Sequence, residues 1–406
     1  MNAILKQIKS WGLKKQDGKW AGGLLLMLVL VFGFDLILGP RRSAGPEALK
    51  MVTQETDVPQ DEVVQPLRMA VTTFDPHYDD MGALLKTLGP GYSTFRTMNL
   101  REIIDNGALR DLDVLFMTCS PAPNEWLQND RLGNGGRPGT VTSSARPEII
   151  ERLKENLREF VARGGTLYAS DWQFSLLSLT FNEFIDPSLM HEGAKQTVIA
   201  HAEDESLRKL VGDRLQLKFD LAAWKPAAFG GRSVSVLLTG DYETLQGARL
   251  NAPLLIKFPF EKGTVIFTSF HNEKQNSELE TKLLKYLVFT TVLAQTEAKM
   301  TETLVQGGFK QAGRSLLSVS GGERSTTETY KATKTGPLRF SLGFENRNAK
   351  MKLTVVGPDG VPHEKEGISP LVVEIPDATV GDWKYTITAI KTPFDNFPFA
   401  LSIGQK

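Results

Sequence analysis

Residues 164–174 read GGTLYASDWQF, and this stretch decides how the rest of the chain is read. Two glycines end whatever precedes them, and Thr166–Ser170 follows as a short apolar run that predicts a buried strand. The run breaks at Ser170-Asp171-Trp172, so the strand is expected to turn sharply into the next segment. Ahead of the glycines, Ile149, Ile150, Leu153, Leu157, Phe160 and Val161 share one face at helical spacing. Pro147 stands near the start of that pattern and Gly164 at its end, so residues 147–163 predict an amphipathic helix.

The same unit repeats outward. Upstream, residues 68–74, 92–98 and 112–118 predict strands and 80–88 a helix. Downstream, strands are expected at 196–201, 215–219, 233–238, 253–258 and 263–270, with helices at 203–211 and 277–293. This alternation predicts an α/β domain over residues 67–296, a mostly parallel sheet with helices on both faces. Residues 297–312 read as a linker. Beyond them the apolar period drops to two, in seven short runs at 316–319, 328–332, 338–344, 350–356, 371–375, 383–390 and 399–403. Turn residues at 357–360 and 377–382 punctuate them, so residues 313–406 predict an all-β sandwich.

The N-terminus reads differently. Residues 1–19 carry Lys6, Lys9, Lys14, Lys15 and Lys19 against Asp17. Residues 21–38 are apolar apart from Asp35, and as a helix would span roughly 27 Å at ~1.5 Å per residue. The expectation is a transmembrane anchor over 20–39, with its N-terminus in the cytoplasm and the remaining domains extracytoplasmic or periplasmic, as in a single-pass inner-membrane protein. A cleaved signal peptide is the rival reading. Residues 40–66, polar and Pro-containing, read as a tether.

Composition excludes some functions. The chain has 406 residues with 47 basic and 47 acidic side chains, so there is no net field to recruit nucleic acid. A single cysteine, Cys119, is read as excluding an internal disulfide framework and a Cys-ligated zinc site. The five histidines are scattered, and no cofactor-binding motif stands out.

The last strand of the α/β region ends in Ser269-Phe270-His271-Asn272-Glu273. Carboxyl ends of strands in such sheets line one crevice, so His271 and the turn at Ser170-Asp171 are expected on the same side. An elbow after a central strand, GGTLYASDWQ, followed by a late strand GTVIFTSFHNE, resembles the class I glutamine amidotransferase-like, flavodoxin-like fold. Catalytic members carry a cysteine at the elbow, activated by a His-x-Glu pair. The resemblance therefore implies His271 as base and Glu273 as its orienting acid, with Ser170 or Asp171 where the cysteine is missing. Two readings stay open: a degenerate site in which His271 and Glu273 fix a loop, and a hydrolase using Ser170 or Asp171 with His271.

Asp75, His77, Asp79 and Asp80 could be drawn as a metal site, or read as turn and N-cap residues at a strand–helix junction. The long loop 119–146, with Trp126, Arg131 and Arg137, is a recognition candidate, together with Trp172 at the elbow. The C-terminal region resembles the pre-peptidase C-terminal type of β-sandwich. The leading expectation is a membrane-tethered binding or scaffold protein that engages a protein partner or a second copy of itself. A hydrolase is the second reading. A carbohydrate-binding protein, with Trp126, Trp172 and Trp224 stacking on sugar, is the third.

Overall fold

The computed structural model describes residues 67–73, 78–105, 107–120, 147–319, 324–345, 349–394 and 397–406. The basic segment 1–19, the expected anchor 20–39 and the tether 40–66 lie outside the described residues. Among the described residues no helix is long and apolar enough to cross a membrane. The expectation of a single-pass inner-membrane protein contacting the bilayer, with periplasmic domains, is corrected accordingly.

Among the described residues the large sheet has nine strands: β1 (Met69–Thr72), β2 (Phe95–Met98), β3 (Val114–Met117), β4 (Thr166–Ser170), β5 (Gln196–Ala202), β6 (Arg214–Phe219), β7 (Ser235–Glu243), β8 (Arg249–Phe260) and β9 (Gly263–Thr268). Their order is β2-β1-β3-β4-β9-β8-β7-β5-β6. From β2 to β9 every pairing is parallel, and from β9 to β6 every pairing is antiparallel. The expected mostly parallel α/β sheet is therefore corrected to a mixed sheet in a chain with 43% strand against 30% helix. The physical reason lies in the connections. Only five residues join β7 to β8, and two join β8 to β9, so each pair closes as an antiparallel hairpin.

Alternation along the parallel strands sends side chains to two cores. Met69, Val71, Tyr168 and Ile266 enter one, and Ala70, Leu167, Ala169, Val265 and Phe267 the other. Each core is covered by helices. Met81 and Leu85 of α1 (Met81–Thr87) pack into the first; a single turn, α2 (Pro90–Ser93), follows. Leu100 and Ile103 of α3 (Leu100–Ile104) join Leu153, Leu157, Phe160 and Val161 of α4 (Pro147–Ala162) in the second. α5 (Phe174–Thr180) adds Leu176 and Leu177 there. α6 (Glu205–Val211) and α7 (Glu278–Val292) return to the first core through Leu207, Leu283 and Leu287. Each fully buried leucine contributes about 1.5–3 kcal/mol relative to exposure. Gly263 lets β9 start against α4: a Cβ there would fall 2.1 Å from the Val161 carbonyl oxygen.

Among the described residues the C-terminal region has eight strands, not seven: β10 (Lys310–Val319), β11 (Ser325–Ala332), β12 (Gly336–Gly343), β13 (Lys350–Val356), β14 (Pro362–Gly367), β15 (Leu371–Ala378), β16 (Gly381–Lys391) and β17 (Phe397–Gln405). They form two antiparallel sheets, β10-β17-β12-β15 and β11-β16-β13-β14, around a core that includes Phe340, Leu353, Trp383, Ile387 and Phe399.

The expected linker 297–312 is not one. Its first part belongs to a helix, α8 (Ala294–Gln306), and its end to β10. Glu297 of α8 sits, mostly covered, in an ion cluster that joins the two regions. Arg314 on β10 meets Asp204, the N-cap of α6, at 2.6 Å, and Lys257 on β8 meets Glu297 at 3.0 Å. Arg314 Nε also lies 2.7 Å from Glu297 Oε1, but its N–H is aimed off that line, so the contact is coulombic and not a hydrogen bond. Burial alone would raise both carboxyls; the Arg314 charge on Asp204, and the Lys257 and Arg314 charges on Glu297, hold them below the usual range.

Candidate functional site

The site is built at the carboxyl ends of β4 and β9, which run parallel with Ser170 opposite Thr268. One residue beyond β4 the backbone reverses at Asp171, whose φ of 43° is left-handed. Such a conformation costs a non-glycine residue about 1–2 kcal/mol, and aspartate tolerates it better than most. Asp171 therefore occupies the apex of the elbow. Three residues beyond β9, His271 reaches back to it, with Nε2 at 3.0 Å from Asp171 Oδ2.

The pair is closed on all sides. Asp171 Oδ1 accepts from the backbone N–H of Lys225 at 2.7 Å, and Oδ2 lies 3.5 Å from Cys119 Sγ. The other ring nitrogen of His271, Nδ1, lies 3.2 Å from Asp220 Oδ1. Asp171 is 1% exposed and His271 5%. Burial pushes the Asp171 carboxyl up, against the pull of His271. Burial alone would push the imidazole down, but the hydrogen bond and charge of Asp171, with Asp79 and Asp220, outweigh it and raise His271 to about 9. Burial also pushes the Cys119 thiol well up.

Ser170 turns elsewhere. Its hydroxyl donates to Asp79 Oδ2 at 2.8 Å, while Asp79 Oδ1 accepts from the backbone N–H of Asn272 at 2.9 Å. Asp79, 1% exposed, thus ties the segment before α1 to both strand ends, and burial raises its carboxyl. Asp80 caps α1, accepting from Ala83 N–H at 2.7 Å, as its place before a helix suggests.

The structure brings Ser170, Asp171, His271 and Asp79 into one buried cluster. It leaves Glu273 out: that carboxylate lies in a short 3-10 turn, 3.7 Å from Lys274 Nζ, both side chains well exposed. Asp220 takes the place expected for Glu273. Trp172 is half-buried, edge-on to Tyr78 and donating from Nε1 to the Ala223 carbonyl. Asp75, His77, Trp126, Arg131 and Arg137 lie outside the described residues. Sequence reasoning missed Asp220, which follows β6, and gave Cys119 no part in the site. A cysteine at the carboxyl end of a parallel strand was the available signal, since all such ends share one edge.

The sulfur of Cys119, a carboxylate oxygen of Asp171 and a ring nitrogen of His271 lie within 4.8 Å of one another. A separate cleft of about 370 Å³ opens beside Asp79, lined by Thr72, Thr118, Lys86 and Phe95 among others. Asp171 and His271 do not line it.

No family model matches the chain, and no curated protein matches it. Among solved structures it is similar to PurLQS from Thermotoga maritima, at 17% identity over 57% of this chain and all of that one, TM-score 0.33. A cytoplasmic protein from Salmonella typhimurium matches at 14% identity over 57% of this chain and 98% of that one, TM-score 0.32. A β-galactosidase from Bacillus circulans sp. alkalophilus matches at 12% identity, TM-score 0.30, over 79% of this chain and 41% of its own length. At TM-scores this low, no function is taken from them.

Proposed function

We propose that this chain is a non-catalytic binding or scaffold protein that engages a protein partner, built around an amidotransferase-like elbow that has lost its nucleophile. The observation that supports this most is His271, whose two ring nitrogens both face carboxylates, Asp171 and Asp220. A general base needs a free lone pair aimed at a nucleophile. Here the imidazole holds two donors toward two anions, and a group that titrates at about 9 carries its proton at neutral pH. Ser170, the hydroxyl a hydrolase would use, donates its proton to Asp79. The ion cluster joining the sheet region to the C-terminal sheets suits a rigid platform. The carbohydrate reading loses one of its aromatic platforms, since Trp224 is 2% exposed and stacked on Phe219 at 4.0 Å.

The purified full chain should leave serine-reactive probes unlabelled and a panel of esters and amides unhydrolysed. Crosslinking in its native host should recover a defined protein partner. A turnover that disappears in both Asp171→Asn and His271→Ala, with the fold intact, would overturn the reading in favour of a hydrolase.

A further inference from the structure

The cluster at the elbow has a composition that salt-bridge chemistry alone does not require. A buried carboxylate and imidazole suffice for an ion pair, yet the chain's one cysteine is placed against the same carboxylate oxygen. We infer that Cys119, Asp171 and His271 form a transition-metal site of the zinc type, with Asp220 as the residue that orients His271.

Geometry supports this first. Tetrahedral zinc with Zn–O and Zn–N of about 2.0–2.2 Å and Zn–S of about 2.3 Å sets its ligand atoms roughly 3.3–3.7 Å apart. The Nε2–Oδ2 edge is 3.0 Å and the Sγ–Oδ2 edge 3.5 Å, with all three atoms inside 4.8 Å. The Sγ–Oδ2 edge already has the length such a site needs, and the Nε2–Oδ2 edge would open by roughly 0.3–0.7 Å to admit an ion. The donors come from three separate elements, the ends of β3, β4 and β9, so the sheet itself holds them in place.

The surroundings supply the second, independent support. A metal-bound histidine nearly always donates its other ring N–H to a carboxylate, which fixes the tautomer and raises ligand basicity. Asp220 Oδ1 stands 3.2 Å from Nδ1, leaving Nε2 aimed at the shared oxygen of Asp171. Coordination needs the thiolate of Cys119 and an unprotonated Nε2 on His271, so binding releases protons to solvent and should tighten as pH rises. Sulfur in the donor set disfavours magnesium and calcium, and the mixed S, N, O set suits zinc or its cobalt(II) substitute. Three protein ligands leave one position for water or for a donor atom of a bound molecule. This goes beyond the binding reading and stands or falls separately from it.

The test uses the full chain, stripped with a chelator and titrated with cobalt(II) and zinc. The expected result is one ion per chain, tetrahedral cobalt absorption in the visible, a thiolate-to-cobalt charge-transfer band, and a higher melting temperature with zinc. Because the chain has one cysteine, that band identifies Cys119 without any variant. Cys119→Ser should abolish the band. Asp220→Asn should keep the band and weaken affinity about 10–100-fold, which a merely structural aspartate would not do. Absence of stoichiometric binding, or cobalt bound without a thiolate band, would overturn the inference, as would zinc affinity unchanged in a folded Cys119→Ser.

Discussion

Ser170 and Asp79 are joined by a 2.8 Å hydrogen bond between residues 91 positions apart, and that bond commits the serine's proton to a carboxylate. The elbow is thereby divided in two. One half, Asp79 with Ser170 and Asn272, ties strand ends together. The other, Asp171 with His271 and Asp220, is a charged pair backed by a second carboxylate.

Stability should fall as pH rises. His271 is raised from its ordinary 6.5 to about 9, so its contribution is fully present below pH ~6.5 and lost as pH climbs through about 9. Asp171 and Asp79, raised by burial, act in the same direction at lower pH, because the folded state holds protons that the unfolded chain releases. The unfolding free energy of chelator-treated protein, from urea titrations between pH 6 and 10, should decline by an amount on the order of 3 kcal/mol. His271→Ala should flatten that profile, and a flat profile in the unmutated protein would contradict the assignment.

Removing the imidazole leaves Asp171 and Asp220 facing each other without the cation. His271→Ala should therefore cost about 3–5 kcal/mol, the penalty for breaking a buried pair from one side. Ser170→Ala removes a donor from buried Asp79 and should cost about 1–3 kcal/mol. Equilibrium denaturation at pH 7 measures both. A His271→Ala variant as stable as the parent would mean that the pair does not hold the elbow.

Arg314 faces both Asp204 and Glu297. Arg314→Ala takes its charge from two largely buried carboxylates and should cost about 3–5 kcal/mol. Limited proteolysis should leave residues 294–319 intact in the parent and expose them in the variant. Early cleavage there in the parent would show that α8 is not docked as described.

Gly263→Ala should be among the most damaging small substitutions. Its methyl would meet the Val161 and Gly165 carbonyl oxygens at 2.1 and 2.3 Å, both backbone atoms that cannot swing aside. Overpacking of this kind typically costs 1–3 kcal/mol, and backbone clashes stand at or above the upper end of about 3. Soluble expression and melting temperature read the effect; a variant that melts with the parent would place β9 wrongly against α4.

Much of the local structure was legible in the chain. β4 and the 147–162 helix follow from apolar period and from Pro147 and Gly164, because such signals act over a few residues. β14 was missed: PHEKEG is almost wholly polar and pairs only with β13, so it buries too little to leave a pattern.

What the sequence determined by itself, then, is where most of the strands and the long helices 147–162 and 278–292 lie, and that an elbow stands at Ser170-Asp171. What only the tertiary structure decided is strand direction and side-chain company. A buried run such as residues 253–258 looks the same whether its neighbour runs parallel or antiparallel, since burial has no direction. Glu273, two residues from His271, was the natural candidate for its partner, yet Asp220, 51 residues away, holds that place. Cys119 meets Asp171 across 52 residues for the same reason. Sheet order, set by packing over the whole domain, chooses which strand ends meet, and no local pattern records it.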